Sequence, residues 1–197
     1  MRIRIFGTEI YMTFLFFSVI AFLLVTDRTG LVLPTFFCVL THEAAHLFAM
    51  WLCDCQPKKV RLSPARIEIV RKMAPYPKSE TLISAAGPLA NLLLCGVLYI
   101  NYRLFGNETV LIYCALNAVI GGYNLLPVSG LDGGTVLYSL IARKKGAARA
   151  AVTLKIITAL SAAVLLTAAI IMTVKGKVNL SLYIIAVYLF IGVTVKM

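Results

Sequence analysis

Thr41-His42-Glu43-Ala44-Ala45-His46 lies inside the apolar run 30–53 and holds both histidines of the chain. Read as a helix, positions i and i+4 stand one turn apart on one face, about 6 Å along the axis, so two imidazoles can converge on one ion. Glu43 projects beside them. Two neutral histidine nitrogens and one further protein ligand leave zinc an open position for water, and an adjacent carboxylate can take the proton; this is the chemistry of a metal-dependent hydrolase. The bland alternative is a pair of packed, hydrogen-bonded histidines. Against it, three polar groups share one turn of a candidate membrane helix, where each ionisable residue costs roughly 2.5 to 3.5 kcal/mol on insertion scales.

Outward from this run the whole chain is apolar: 60% of its 197 residues are hydrophobic and the mean hydropathy is +0.91. Several membrane spans produce such values, and a water-soluble domain does not need them. The expected fold is an all-α polytopic membrane protein. It has six transmembrane helices, a short strand-like segment between helices two and three, and a broken fourth helix. The spans fall near 10–26, 30–53, 81–100, 109–126, 152–174 and 179–195. After these are subtracted no room is left for a soluble module of ordinary size, so residues 1–197 are read as a single transmembrane domain. The first apolar run follows Arg2 and Arg4 but lacks a small-residue cleavage site, and is read as a retained helix.

The formal charge of +11 suits nucleic acid in a soluble protein, but here its distribution follows topology. With a cytoplasmic amino terminus, 15 of the 19 basic residues gather on one side, which places both termini in the cytoplasm and excludes a nucleic-acid partner. His46 then lies about 12 Å from the inner end of its helix, inside the bilayer. Five cysteines, an odd number without paired spacing, form no disulfide framework; Cys53-Asp54-Cys55 is a weak metal pattern, not the usual C-x2-C.

Between spans two and three, Val60 and Leu62 alternate with Arg61 and Ser63, and Ile67 and Ile69 with Arg66 and Glu68, on either side of Pro64. Period two around a proline predicts two short strands and a turn. This segment is either a basic loop drawn to anionic lipid at the cytoplasmic face or a strand edge able to pair with an extended substrate. In span three, Ser84-Ala85-Ala86-Gly87-Pro88-Leu89-Ala90-Asn91 lets helices approach closely, and Asn91 reads as helix-to-helix glue or as a donor to an unwound substrate. Span four ends in Asn124-Leu125-Leu126-Pro127-Val128-Ser129-Gly130-Leu131-Asp132-Gly133-Gly134, which cannot continue a regular helix. Of the eight acids only Glu43 and Asp132 look embedded, so Asp132 is either the third metal ligand or an N-cap for 133–142.

Together, His42-Glu43-Ala44-Ala45-His46, Ala86-Gly87-Pro88-Leu89-Ala90-Asn91 and Asn124-Leu125-Leu126-Pro127 leading to Leu131-Asp132-Gly133-Gly134 resemble the site-2 protease family of intramembrane zinc metalloproteases. The likeness is strongest to its sporulation branch, that of stage IV sporulation protein FB. The resemblance implies one zinc ion bound by His42, His46 and Asp132, Glu43 as general base, and Asn91, Asn124 and Pro127 at the substrate. It also implies a membrane-tethered protein substrate such as a transcription factor precursor, with regulation by other membrane proteins. Two departures from the family are expected: residues 1–197 are read as carrying no CBS or PDZ domain, and Ala45 stands where a glycine often precedes the second histidine. Two rivals remain: a metal transporter, for which no further embedded ligands line a route, and an inactive relative that binds membrane helices without cutting them.

Overall fold

The computed structural model describes residues 2–5, 8–55, 57–62, 67–71, 77–176 and 179–194. In chain order these form β1 (Arg2–Ile5), β2 (Thr8–Met12), α1 (Phe14–Thr26), α2 (Val32–Leu52), β3 (Pro57–Leu62), β4 (Ile67–Arg71), α3 (Pro77–Phe105), α4 (Glu108–Asn124), α5 (Asp132–Lys145), α6 (Ala147–Val174) and α7 (Leu180–Thr194). The turn expected at Pro64 lies outside the described residues. The backbone divides into two compact units, Met1–Tyr123 and Asn124–Met197.

The expected fold class is corrected in two respects. The chain is not all-α: its strands make one four-stranded sheet in the order β1-β2-β3-β4, more than a short strand-like segment between two helices. Nor are six spanning helices present among the described residues. Seven helices are present among the described residues, and three of them, Val32–Leu52, Lys78–Phe105 and Ala147–Val174, are long and apolar enough to cross a membrane. The first apolar run is split because Glu9 to Met12 pair in parallel with Lys59 to Leu62. The Thr13 hydroxyl then caps a new helix by accepting from the Phe16 N–H at 3.3 Å. What remains as α1 has 13 residues, about 20 Å at 1.5 Å per residue, against a hydrocarbon core of about 30 Å. At 17 and 15 residues, α4 and α7 fall short for the same reason. A multi-pass membrane protein remains the result, and its outward faces suit lipid, with Val25 87% and Leu93 72% exposed.

In the first unit, the Asp27 carboxylate organises entry to α2. It accepts from the Thr29 and Gly30 N–H groups and the Thr29 hydroxyl through Oδ1, and from the Val32 N–H through Oδ2, at 2.8–3.0 Å. Along α2 the buried residues are Cys38, His42, His46, Ala49 and Met50, one stripe at helical spacing. Ala49 and Met50 pack on Ile83 of α3, with Cys53, Cys55 and Ala86 around them. The helix stops where the Cys53 and Cys55 N–H groups return to the Ala49 and Met50 carbonyls at 3.0 and 2.9 Å. Cys53-Asp54-Cys55 is thus a capping turn, with Asp54 at φ 52° and both thiols free.

In the second unit, Val128, Ala162 and Leu189 form a core with Leu131, Leu165 and Ile185 around it. Ala150, Ala162 and Ala169 are buried along α6, small residues that let helices meet closely without a hydrophobic drive inside lipid. Arg143, Lys144 and Lys145 occupy the last turn of α5, where cations complement the helix dipole.

Candidate metal centre

Helix α2 presents His42 and His46 one turn apart, both buried. His46 Nδ1 is 2.7 Å from the Ile83 carbonyl oxygen, so Nδ1 carries the proton and donates. His46 Nε2 then faces His42 Nε2 at 3.1 Å, with the rings near perpendicular at 80° and centroids 4.8 Å apart. A backbone carbonyl that fixes tautomer and ring orientation is the usual outer support of a metal-ligating histidine. Pro88 lies inside α3 and has no N–H for the Ser84 carbonyl, so it loosens the helical turn that also contains Ile83.

Gly87 keeps the space in front of the imidazoles open. A Cβ there would stand 2.7 Å from His46 Cε1 and 2.8 Å from His42 Cε1, and closer still to His46 Nε2. No residue but glycine fits that approach.

Asp132 is the first residue of α5, half-buried, with Leu131 in the N-cap position. It is therefore not the helix cap. After α4 ends at Asn124, the segment 125–131 folds back over the first turn of α5. A Cβ on Gly133 would come within 2.6 Å of the Leu126 carbonyl oxygen, and one on Gly134 within 2.7 Å of the Val128 carbonyl carbon. Asp132-Gly133-Gly134 thus joins a ligand-bearing carboxylate to two positions where backbone itself crowds out side chains.

His42 and His46 of the first unit and Asp132 of the second each offer one ligand atom of the kind that holds a metal ion. Two imidazoles and a carboxylate make a three-ligand set of the kind that catalytic zinc uses. The fixed tautomer of His46 and the clearance at Gly87 fit such an ion as well. Glu43, half-buried, follows His42 directly and is three residues from His46, a neighbouring position on the helix surface.

Asn91 is fully buried, and its Nδ2 donates across to the Cys38 carbonyl of α2 at 3.4 Å, a helix-to-helix bond. Its Oδ1 is buried without a partner among the described residues. Asn124, half-buried, ends α4, and Pro127 is exposed in the segment that follows. Asn117, absent from the sequence reading, is 1% exposed. It donates from Nδ2 to the Tyr113 carbonyl at 2.8 Å and to Cys38 Sγ at 3.1 Å. The signal that singled out Asn91, an amide in an apolar span, applies equally to Asn117.

No protein-family model matches the chain. It is similar, at 29% identity over 194 residues, to a zinc metalloprotease of Methanocaldococcus jannaschii; the match covers 93% of this chain and 55% of that protein. The chain therefore spans about half the length of the curated relative it matches. Among solved structures it is similar to the site-2 protease from Methanocaldococcus jannaschii, with a TM-score of 0.68 and 23% identity over 100% of this chain and 97% of that one. The fold is shared with that protease.

Proposed function

We propose that this chain is an intramembrane zinc metalloendopeptidase of the site-2 protease type, which hydrolyses a peptide bond in a membrane-embedded or membrane-tethered protein. The observation that carries this reading is the His42, His46 and Asp132 donor set on a fold shared with a site-2 protease. When bound, zinc supplies a Lewis acid that polarises a peptide carbonyl and eases the ionisation of water near neutral pH. His46, its ring held by the Ile83 carbonyl, would offer its Nε2 to zinc without reorienting. Glu43 takes a proton from the attacking water and returns it to the departing amine, so an O–H and a C–N bond break while a C–O and an N–H bond form.

A helical substrate hides its carbonyls in its own hydrogen-bond ladder and must unwind locally. Asn91, Asn124 and Pro127 are assigned to substrate contact, with the amides offering hydrogen bonds to backbone freed in this way. The charge asymmetry supports an orientation with both termini in the cytoplasm, where the basic segment between α2 and α3 meets anionic lipid. The motif resemblance supports the sporulation branch and a transcription factor precursor as substrate.

The test is co-expression of Glu43→Gln with a single-span substrate that wild type cleaves. Loss of the general base is expected to reduce cleavage by about 10²- to 10⁴-fold while zinc content stays at the wild-type level. Undiminished cleavage by the variant would overturn the assignment.

A further inference from the structure

Thr158 is buried to 0% exposure in α6, a long apolar helix with no acid in it. A hydroxyl in hydrocarbon needs uses for both its proton and its lone pairs. Here it has both. Oγ1 donates to the Leu154 carbonyl one turn back at 2.8 Å and accepts from the Ser129 N–H at 2.9 Å. The first bond turns the oxygen's free lone pairs away from its own helix and toward the segment after Pro127.

That segment also carries backbone bonds of its own. The Val128 N–H reaches the Leu126 carbonyl at 2.8 Å and the Leu131 N–H reaches the Val128 carbonyl at 3.2 Å, while Gly130 adopts φ 90°. Val128, 3% exposed, is clasped by Ala162, one turn beyond Thr158 on α6, and by Leu189 of α7. Three residues past Ser129, the chain enters α5 with Asp132, and the Val128 carbonyl and Ser129 nitrogen lie directly over Gly134 in that first turn. Anchoring Ser129 therefore anchors the backbone against which the aspartate's own turn is seated.

Resting on the metalloprotease reading above, we propose that Thr158 is a positioning residue for the metal centre: its hydroxyl pins the Val128–Ser129 backbone and through it holds the Asp132 carboxylate in place for zinc. Only serine or threonine can both donate to a carbonyl one turn back and accept from a neighbouring chain at this spot. Valine has threonine's shape and neither capacity, so Thr158→Val isolates the hydroxyl from its volume.

The full-length protein, purified in lipid nanodiscs, is titrated with zinc against a competing chelator as wild type, Thr158→Val, Thr158→Ser and His46→Ala. Loss of an outer support of a metal ligand typically weakens affinity 10- to 100-fold. Thr158→Val is expected to bind zinc about tenfold more weakly, with Thr158→Ser within about twofold of wild type, since it keeps the bond. Hydrogen exchange at the Ser129 amide is expected to speed up in zinc-free Thr158→Val and not in Thr158→Ser. A merely structural role would lower the folded fraction but leave the affinity of that fraction intact; an unchanged zinc affinity in Thr158→Val overturns the proposal and leaves the metal centre standing. If Thr158→Val does not fold, Thr158→Ala removes the same acceptor with less bulk and is read by the same criterion. Wild type that binds zinc no more tightly than His46→Ala removes the metal centre and the proposal with it.

Discussion

His42 and His46 ride an unbroken helix, whereas Asp132 follows seven residues that belong to no helix or strand. The histidines need only the 3.6-residue period of α2 to share a face, and one carbonyl from α3 to set a tautomer. The aspartate needs a helix to stop, a proline to prevent its resumption, two glycines to admit the returning backbone and a threonine from α6 to hold it. Two ligands are thus placed by local geometry and the third by tertiary contacts. A metal site built this way is expected to fail differently on its two sides.

The largest failure is expected on the aspartate side. In Gly134→Ala the new methyl meets the Val128 carbonyl, which is backbone and cannot swing aside. Overpacking of this kind costs about 1 to 3 kcal/mol or more, so a drop of several degrees in thermal midpoint and a loss of zinc content are expected together. A stable, zinc-replete Gly134→Ala variant would dissolve the contrast.

On the histidine side the expected lesion is narrower. Gly87→Ala places a methyl among the imidazoles, within 2.8 Å of both Cε1 atoms, and the rings are side chains that can turn away. Zinc affinity is expected to fall about 100-fold while the helices stay folded, as chelator competition and circular dichroism would report. Gly96→Ala on the same helix meets nothing within 4 Å and serves as the silent control. Equal loss in both alanine variants would mean that helix α3, not the metal pocket, is what Gly87 serves.

The smallest effect is expected at the entry to α2. Hydrogen bonds from the Val32 N–H above all, and then from the Thr29 hydroxyl and the Thr29 and Gly30 N–H groups, hold the Asp27 carboxyl at about 2, below its ordinary 3.8. A carboxyl depressed in the folded state stabilises it above the ordinary value and loses that contribution as pH falls through 3.8 toward 2. Asp27→Ala is therefore expected to be slightly less stable than wild type at pH 7, with the gap closing below about pH 4. A gap that stays constant down to pH 2.5 would show that the loop does not depend on the charge.

The same division runs through what could be read without coordinates. The stripe Cys38, His42, His46, Ala49, Met50 is a statement about period, and a period is written in one short stretch. Asn117 shows the cost of reading each motif by itself: an amide in an apolar span was as visible as Asn91, but it belonged to no recognised motif. The parallel pairing of β2 with β3 was not legible, because Met12 and Pro57 are separated by α1 and α2 and nothing in either strand names its partner. That pairing is also what shortened the first apolar run and removed one of the six expected spans.

Alone, the order of residues determined that this chain enters membranes, that two histidines and a glutamate share one helical turn, and that a helix must break before Asp132. Only the tertiary structure decided that Asp132 is the first residue of its helix instead of its cap, with returning backbone packed on the turn that carries it, and that residues 10–12 leave the first expected span for a sheet. Helical spacing follows from the bonds of neighbouring residues, whereas a carboxylate's approach and a strand's choice of partner depend on contacts between segments far apart in the chain.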